Sequence, residues 1–317
     1  MKLITKPDTS RRRIAAVGMY DGVHSGHRFL IDYLCVEARH RGLEPAAVTF
    51  SRHPLSLVRP LEEPALLSTL EDRVEALGAA GAEAVILLSF NERLRRLPAA
   101  DFLKLLHSKF GIDALVLGFN NRFGHDSLQG LEQYRAIGAQ VGVTVIPAPE
   151  FETSGKRHVS SSAIRKLLAD GKPEEAAVLL GHPYMLRGCV TDGNHLGRTL
   201  GYATANVVPL DPRVLVPKTG AYAGIVTTPD GERRGAMINI GYRPTFHDAD
   251  EKTEREDMTI EAHIFDFDGY IYDEHVAVEF VSYLRPEKRF ASPEKLRAQL
   301  EDDAKKARKI LKEGAVG

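Results

Sequence analysis

Ile14-Ala15-Ala16-Val17-Gly18-Met19-Tyr20-Asp21-Gly22-Val23-His24-Ser25-Gly26-His27 decides how this chain reads. A short apolar run ends in a glycine-bearing turn, and from Arg28 to Arg41 apolar residues recur at three- and four-residue spacing. Strand, loop and helix in that order open an α/β unit. Working outward, Ala46–Phe50, Ala84–Phe90, Ala114–Gly118 and Val143–Pro147 read as further strands. Leu70–Ala80, Ala99–Phe110 and Gly130–Val141 read as the crossover helices between them. The alternation predicts a Rossmann-like parallel sheet with helices on its faces, binding ligands beyond the carboxyl ends of its strands. That directs attention to the loops after Met19, Phe50 and Gly118.

Ser160–Gly171 and Pro173–Gly181 read as two short helices, after which the period changes. From Tyr184 to Tyr283 strands alternate with turns such as Pro229-Asp230-Gly231 and Asp268-Gly269, the pattern of a sandwich or small barrel. Ser292–Lys312 closes the chain as a helix with Leu296, Leu300, Ala304, Ala307 and Leu311 on one face. The expected domains are 1–182 and 183–317.

Composition narrows the function. The 317 residues carry 42 Lys plus Arg against 43 Asp plus Glu, so no global field favours a polyanion and nucleic-acid binding is disfavoured. Cys35 and Cys189 stand far apart, and neither forms a CxxC. That disfavours a disulfide scaffold or a cysteine-rich zinc site and suggests reduced, cytoplasmic thiols. No run approaches the roughly 18–20 apolar residues of a membrane span. Arg11-Arg12-Arg13 reads as a solvated strand entry.

Five motifs carry chemistry. Gly18, Asp21, Gly22 and Gly26 surround a turn that opens a helix, where unpaired backbone N–H groups and the dipole favour an anion. His24 and His27 there can donate to a phosphate as charge develops, although a glycine turn with a serine cap and incidental histidines is the plainer alternative. Asn120 and Arg122 follow the fourth strand, where they can fix a phosphate or base edge or form an ordinary turn. Ser161, Ser162 and Arg165 open a helix and either cap it or meet phosphates. His53, before Pro54, is held extended. Finally, a loop containing Gly193, Gly197, Arg198 and Gly201 precedes Thr204 and Asn206. If extended, that pair shares one face and offers neutral oxygens suited to Mg2+.

Gly22-Val23-His24-Ser25-Gly26-His27 resembles the HxGH signature of the nucleotidylyltransferase superfamily. The longer loop is similar to GxFDGxHxGH of the bifunctional riboflavin kinase/FMN adenylyltransferase family. Gly118–Gly124 resembles that family's G-x-[DN]-F-R-F-G, Phe50–Pro54 its F-x-x-H-P, and Val159–Arg165 its SSTxIR segment. Gly197–Asn206 resembles GRxLGFPTAN, Asn239–Phe246 NIGxRPTF, Thr259–Ile264 the start of VExHIxDF, and Leu284–Phe290 LRxExxF. The resemblance runs from about Gly18 to Arg308.

It implies a nucleotidylyltransferase domain followed by a small Greek-key β-barrel riboflavin kinase domain with a terminal helix. Implied substrates and products are riboflavin, FMN, FAD, ATP, ADP and pyrophosphate, with Mg2+ on Thr204 and Asn206 and no nucleic-acid or membrane partner. Glu261 is implied as the kinase base, and His24 and His27 as the adenylyl-transfer residues. Phosphates are implied at Gly18, Asp21, Gly22, Gly26, Ser161, Ser162, Arg165 and the Gly193–Gly201 loop, and flavin at His53, Asn120, Arg122 and Arg285. Departures at Asn121, Ser162 and Ala163 keep open a monofunctional riboflavin kinase with a degenerate first domain. A non-catalytic flavin or nucleotide sensor is the other alternative, and a tRNA-charging enzyme fits the neutral charge poorly.

Overall fold

Every residue of β2 (Arg13–Val17) is buried, because helices cover both faces of the sheet it centres. The computed structural model describes residues 1–118, 123–126, 130–151, 159–192, 203–245, 255–288 and 290–314. In the first half the remaining strands are β1 (Lys2–Ile4), β3 (Glu44–Phe50), β4 (Ala84–Leu88), β5 (Ile112–Leu117) and β6 (Thr144–Pro147). They form a six-stranded sheet in the order β1-β4-β3-β2-β5-β6, all pairs parallel. The expected five strands are present, and the three-residue β1 is added at one edge.

Alternation along β2 sorts the core into two layers. Ile14 and Ala16 pack with Leu30, Ile31 and Leu34 of α1 (Ser25–Arg41) and Val74 and Leu77 of α3 (Leu70–Ala79). Ala15 and Val17 face Phe102, Leu103 and Leu106 of α5 (Ala99–Phe110) on the other side. α6 (Leu131–Val141) adds Tyr134 beside Leu117 and Val145. The shorter α2 (Leu55–Val58) and α4 (Glu92–Arg95) sit in the loops after β3 and β4.

Arg13 is not a solvated strand entry. Its side chain is fully buried, with Nε donating to Glu44 at 2.5 Å and Nη1 to the carbonyls of Asp8 and Phe110 at 2.7 and 2.9 Å. A buried guanidinium requires such partners, and they come from three separate segments.

The second half begins with α7 (Ser161–Ala169) and α8 (Pro173–Leu180), followed by β7 (Tyr184–Thr191), β8 (Ala205–Pro209), β9 (Gly220–Thr227), β10 (Arg233–Thr245), β11 (Arg255–Ile264), β12 (His275–Arg285) and α9 (Pro293–Gly314). The six strands close into an antiparallel barrel in the order β10-β11-β8-β7-β12-β9. Leu300, Ala304, Ala307 and Leu311 of α9 pack on Ala223, Met237 and Phe265, as the helical spacing requires.

By compactness the chain divides into Met1–Ser161 and Ser162–Gly317. α7 and α8, placed before the expected boundary at 182/183, thereby group with the barrel. Glu174 of α8 accepts from Ser282 Oγ at 2.5 Å and Tyr283 N at 3.0 Å, and the Lys218 amide donates to the Leu168 carbonyl at 3.1 Å.

Candidate active sites

The sheet order reverses between β2 and its two neighbours, so the loops after β2 and β5 leave a topological switch point where such sheets bind ligands. After β2 the chain turns sharply. Tyr20, Gly22 and Val23 have φ of 52°, 79° and 37°, and a β-branched residue in that region is strained by about 1–3 kcal/mol.

The surroundings hold the turn in place. Asp21, 2 % exposed, accepts from the backbone of Leu67 at 2.9 Å and Ser68 at 3.2 Å, while Gly22 N donates to Ser68 Oγ at 3.1 Å. The Met19 carbonyl takes Arg73 Nη1 at 2.8 Å and Thr49 Oγ1 at 3.2 Å. Ser161, the last residue of the first unit, donates its Oγ hydrogen to the Asp21 carbonyl at 2.9 Å. Asp21 thus acts on the loop's shape. Ser162 is exposed on α7, and Arg165 is half-buried there.

α1 begins at Ser25 with His24 as its cap. His24 Nδ1 accepts the His27 backbone N–H at 3.3 Å, which leaves the neutral ring's proton on Nε2. The two imidazoles stack at 3.6 Å with planes 12° apart. Tyr20 meets His27 edge-on at 5.2 Å. Burial, and then His24, holds His27 well below the ordinary histidine pKa, so it is neutral at pH 7. Its Nδ1 is buried without a hydrogen-bond partner among the described residues, and so is the Tyr20 hydroxyl. A Cβ on Gly26 would touch the His24 ring at 3.4 Å and Phe151 at 3.5 Å, so the glycine keeps this entrance narrow but clear.

Beside the loop lies a cavity of about 400 Å³ at the carboxyl ends of β2 to β5, lined by Gly18, Met19, Phe50, Phe90, Arg95 and Phe123 among others. Phe50 and Phe90 meet edge to face at 5.4 Å, and Arg95 is paired with Glu92 at 2.9 Å. The sequence alone does not single out Phe90, Arg95 and Phe102, which line this cavity. Their signal was an aromatic at two neighbouring strand ends, Phe50 and Phe90. His53 precedes α2, whose N-cap is Pro54, and its Nδ1 accepts from Leu55 N at 3.1 Å. Asn120 and Arg122 lie outside the described residues, as do Gly193, Gly197, Arg198 and Gly201.

In the barrel, register assembles the second site. Glu261 on β11 is level with Asn206 on β8 and Asn239 on β10, and Asn206 is level with Thr191 on β7. Residues level across antiparallel strands share a face, so these four form one polar row. All four are half-buried, whereas the adjacent Ile238, Ile240, Ile260, Ala262 and Val207 point into the barrel. Thr204 stands two residues before Asn206, immediately ahead of β8. Neutral oxygens from Thr204 and Asn206 beside the Glu261 carboxylate make a hard donor set, which fits a divalent cation that keeps waters and phosphate oxygens. Asn239 was missed as a member of the row. Its motif was recognised, but the pairing with Glu261 needs the strand register.

Arg285 is committed elsewhere. Its guanidinium pairs with Asp303 of α9 at 2.8 Å and donates to the Pro286 carbonyl at 3.0 Å. Asp303 is 1 % exposed and also accepts from Gln299 at 2.9 Å, so the pair ties β12 to the terminal helix. Among the described residues no group of three or more His, Cys, Asp or Glu is placed to hold a metal, and no helix is long and apolar enough to cross a membrane.

A helix start at a parallel switch point, suited to an anion, and a barrel bearing a carboxylate beside neutral oxygens are features of a nucleotide-dependent transferase of two modules. The model for FAD synthetase matches residues 6–163, and the model for riboflavin kinase matches 180–311. A bifunctional riboflavin kinase/FMN adenylyltransferase of Bacillus subtilis (strain 168) is 32% identical over 300 residues, 93% of this chain and 92% of that protein. The enzyme of the same description from Pseudomonas fluorescens is 36% identical over 298 residues, covering 94% and 92%. A crystal structure described as a macrolide-efflux protein from Streptococcus pneumoniae superposes with a TM-score of 0.83 at 30% identity, covering 96% of this chain and 98% of that one. The chain belongs to the bifunctional riboflavin kinase/FMN adenylyltransferase family.

Proposed function

We propose that this chain phosphorylates riboflavin to FMN at the barrel and adenylylates FMN to FAD at the N-terminal unit. The observation that carries the reading is the match of both family models, in order, on a chain whose relatives align over more than nine-tenths of both lengths. Retention of both modules favours it over a monofunctional kinase or a sensor.

In the kinase step Glu261 takes the proton of the ribityl 5′-hydroxyl as that oxygen bonds to the γ-phosphorus and the bond to ADP breaks. Thr204 and Asn206 would hold Mg2+, which would supply charge neutralisation at the phosphates. Asn239 stands beside Glu261 to fix the alcohol or the phosphate it meets.

In the adenylyl step an oxygen of the FMN phosphate bonds to the α-phosphorus of ATP and pyrophosphate leaves. No proton needs removal, so His24 and His27 orient and donate hydrogen bonds as charge develops. Gly18 joins the loop to the aromatic cavity, which has the size and lining to take the flavin ring. The substrates are small, and the two cysteines are free, in keeping with a cytoplasmic location.

The experiment is chromatography of flavins after incubating the chain with riboflavin, ATP and Mg2+, with a parallel sample started from FMN. FMN followed by FAD is expected. FMN alone in both samples removes the adenylyl assignment, and no conversion removes the catalytic reading.

A further inference from the structure

His263 lies on the same face of β11 as Glu261, two residues along. Its Nδ1 is 2.8 Å from the carbonyl oxygen of Ala203, sixty residues away in sequence. A carbonyl only accepts, so Nδ1 carries the proton and donates it. The bond falls where the β8–β11 pairing stops: the ladder joins Glu261 to Asn206 and Ala262 to Ala205, and beyond it the backbone of 203–204 precedes the strand. The side-chain bond therefore extends the hold of β11 by one more position, onto the peptide that leads directly into Thr204.

The ring is itself supported. Phe265 meets it edge-on at 5.7 Å, Arg308 of α9 lies 4.2 Å over the Phe265 ring, and Arg308 is fixed by Asp266 at 2.7 and 2.9 Å. His263, Phe265 and Arg308 also line one hollow at the helix–barrel boundary, so the three side chains form a continuous contact.

We propose that His263 is a positioning residue of the kinase site, fixing through the Ala203 carbonyl the segment that presents Thr204 and Asn206. The inference rests on the reading of the barrel as a riboflavin kinase using Mg·ATP. His263 does not touch the reacting atoms in this role. It lowers the entropy that the Thr204 segment would lose on meeting metal and phosphate.

The test uses the full chain and compares His263→Ala, His263→Asn and His263→Gln. An Asn amide can stand where Nδ1 stands, whereas a Gln amide stands nearer Nε2. Initial rates of FMN formation are measured against Mg2+ and ATP, with adenylyl transfer from supplied FMN as an independent measure of the intact chain. His263→Ala is expected to raise the KM for Mg·ATP by about 5- to 10-fold while kcat changes less than about 2-fold, the size of one lost hydrogen bond. His263→Asn is expected to restore the KM to within about 2-fold of the parent, and His263→Gln to restore it less. An unchanged KM in His263→Ala, a loss confined to kcat, or equal damage in the Asn and Gln variants overturns the proposal. If His263→Ala does not fold, the Asn and Gln comparison decides alone. A parent chain that makes no FMN overturns the kinase reading itself, a result separate from any of these.

Discussion

His24 and His27 are stacked at 3.6 Å, and the ring nitrogen of the first accepts the backbone N–H of the second. One imidazole therefore serves as helix cap on one side and as hydrogen-bond donor on the other, and substitution can separate the two. His24→Asn keeps an acceptor near Nδ1 and loses the Nε2 donor. We expect it to unfold within about 0.5 kcal/mol of the parent, whereas His24→Ala loses about 1 kcal/mol. Both should reduce FAD formation from FMN by about 100-fold or more. Urea titrations and FAD chromatography check this, and a fully active Asn variant would remove His24 from the chemistry.

His27 makes stability depend on pH. Its folded pKa lies well below the ordinary 6.5, because burial and His24 disfavour the cation. Below pH 6.5 the unfolded chain binds a proton that the folded chain does not, so this stability is complete above 6.5 and falls as the pH drops. The slope from one such group is at most about 1.4 kcal/mol per pH unit. His27→Gln should flatten the denaturation profile between about pH 6.5 and 5. Parallel profiles for parent and variant would contradict the assignment.

Asp21 is assigned here to the loop. Asp21→Asn keeps an oxygen for the Leu67 and Ser68 amides, and we expect most stability and FAD formation to survive. Asp21→Ala strands both amides and releases the strained turn, at a cost of about 2–3 kcal/mol and most of the activity. Loss of activity in the Asn variant at full thermal stability would instead mean direct contact with substrate.

The buried Tyr20 hydroxyl has no partner among the described residues. Tyr20→Phe removes that unmet group and should raise stability by about 1 kcal/mol with FAD synthesis unchanged. A lower melting temperature would reveal a partner for the hydroxyl.

Glu261→Gln keeps the shape of the polar row and removes the base. FMN formation should fall by about 100- to 10,000-fold while FAD formation from supplied FMN continues. Loss of both activities together would undo the separation of the two sites.

The long elements were legible because their period is long enough to register, as in α5, whose sequence limits Ala99–Phe110 are also its structural ones. β1 escaped because only Ile4 of its three residues is buried. The burial of Arg13 escaped because Glu44 and Phe110, which make it tolerable, lie 31 and 97 residues away. The loop after β2 is legible as a glycine turn opening a helix, but the cap that a serine would supply comes instead from His24. Local motifs point to Thr204, Asn206 and Glu261, while the placement of Asn239 beside Glu261 and of His263 against Ala203 is visible only from strand register and a contact across sixty residues.

Closure of the barrel has a consequence beyond catalysis. Among the described residues β9 pairs with both β10 and β12, so the ring of six strands has no first or last strand from which another chain could extend a sheet. The parallel sheet does have edges, but they are the three-residue β1 and the four-residue β6, which ends at Pro147. A concentrated solution of this protein is thereby guarded against edge-to-edge aggregation in both halves, by completion in one and by brevity in the other.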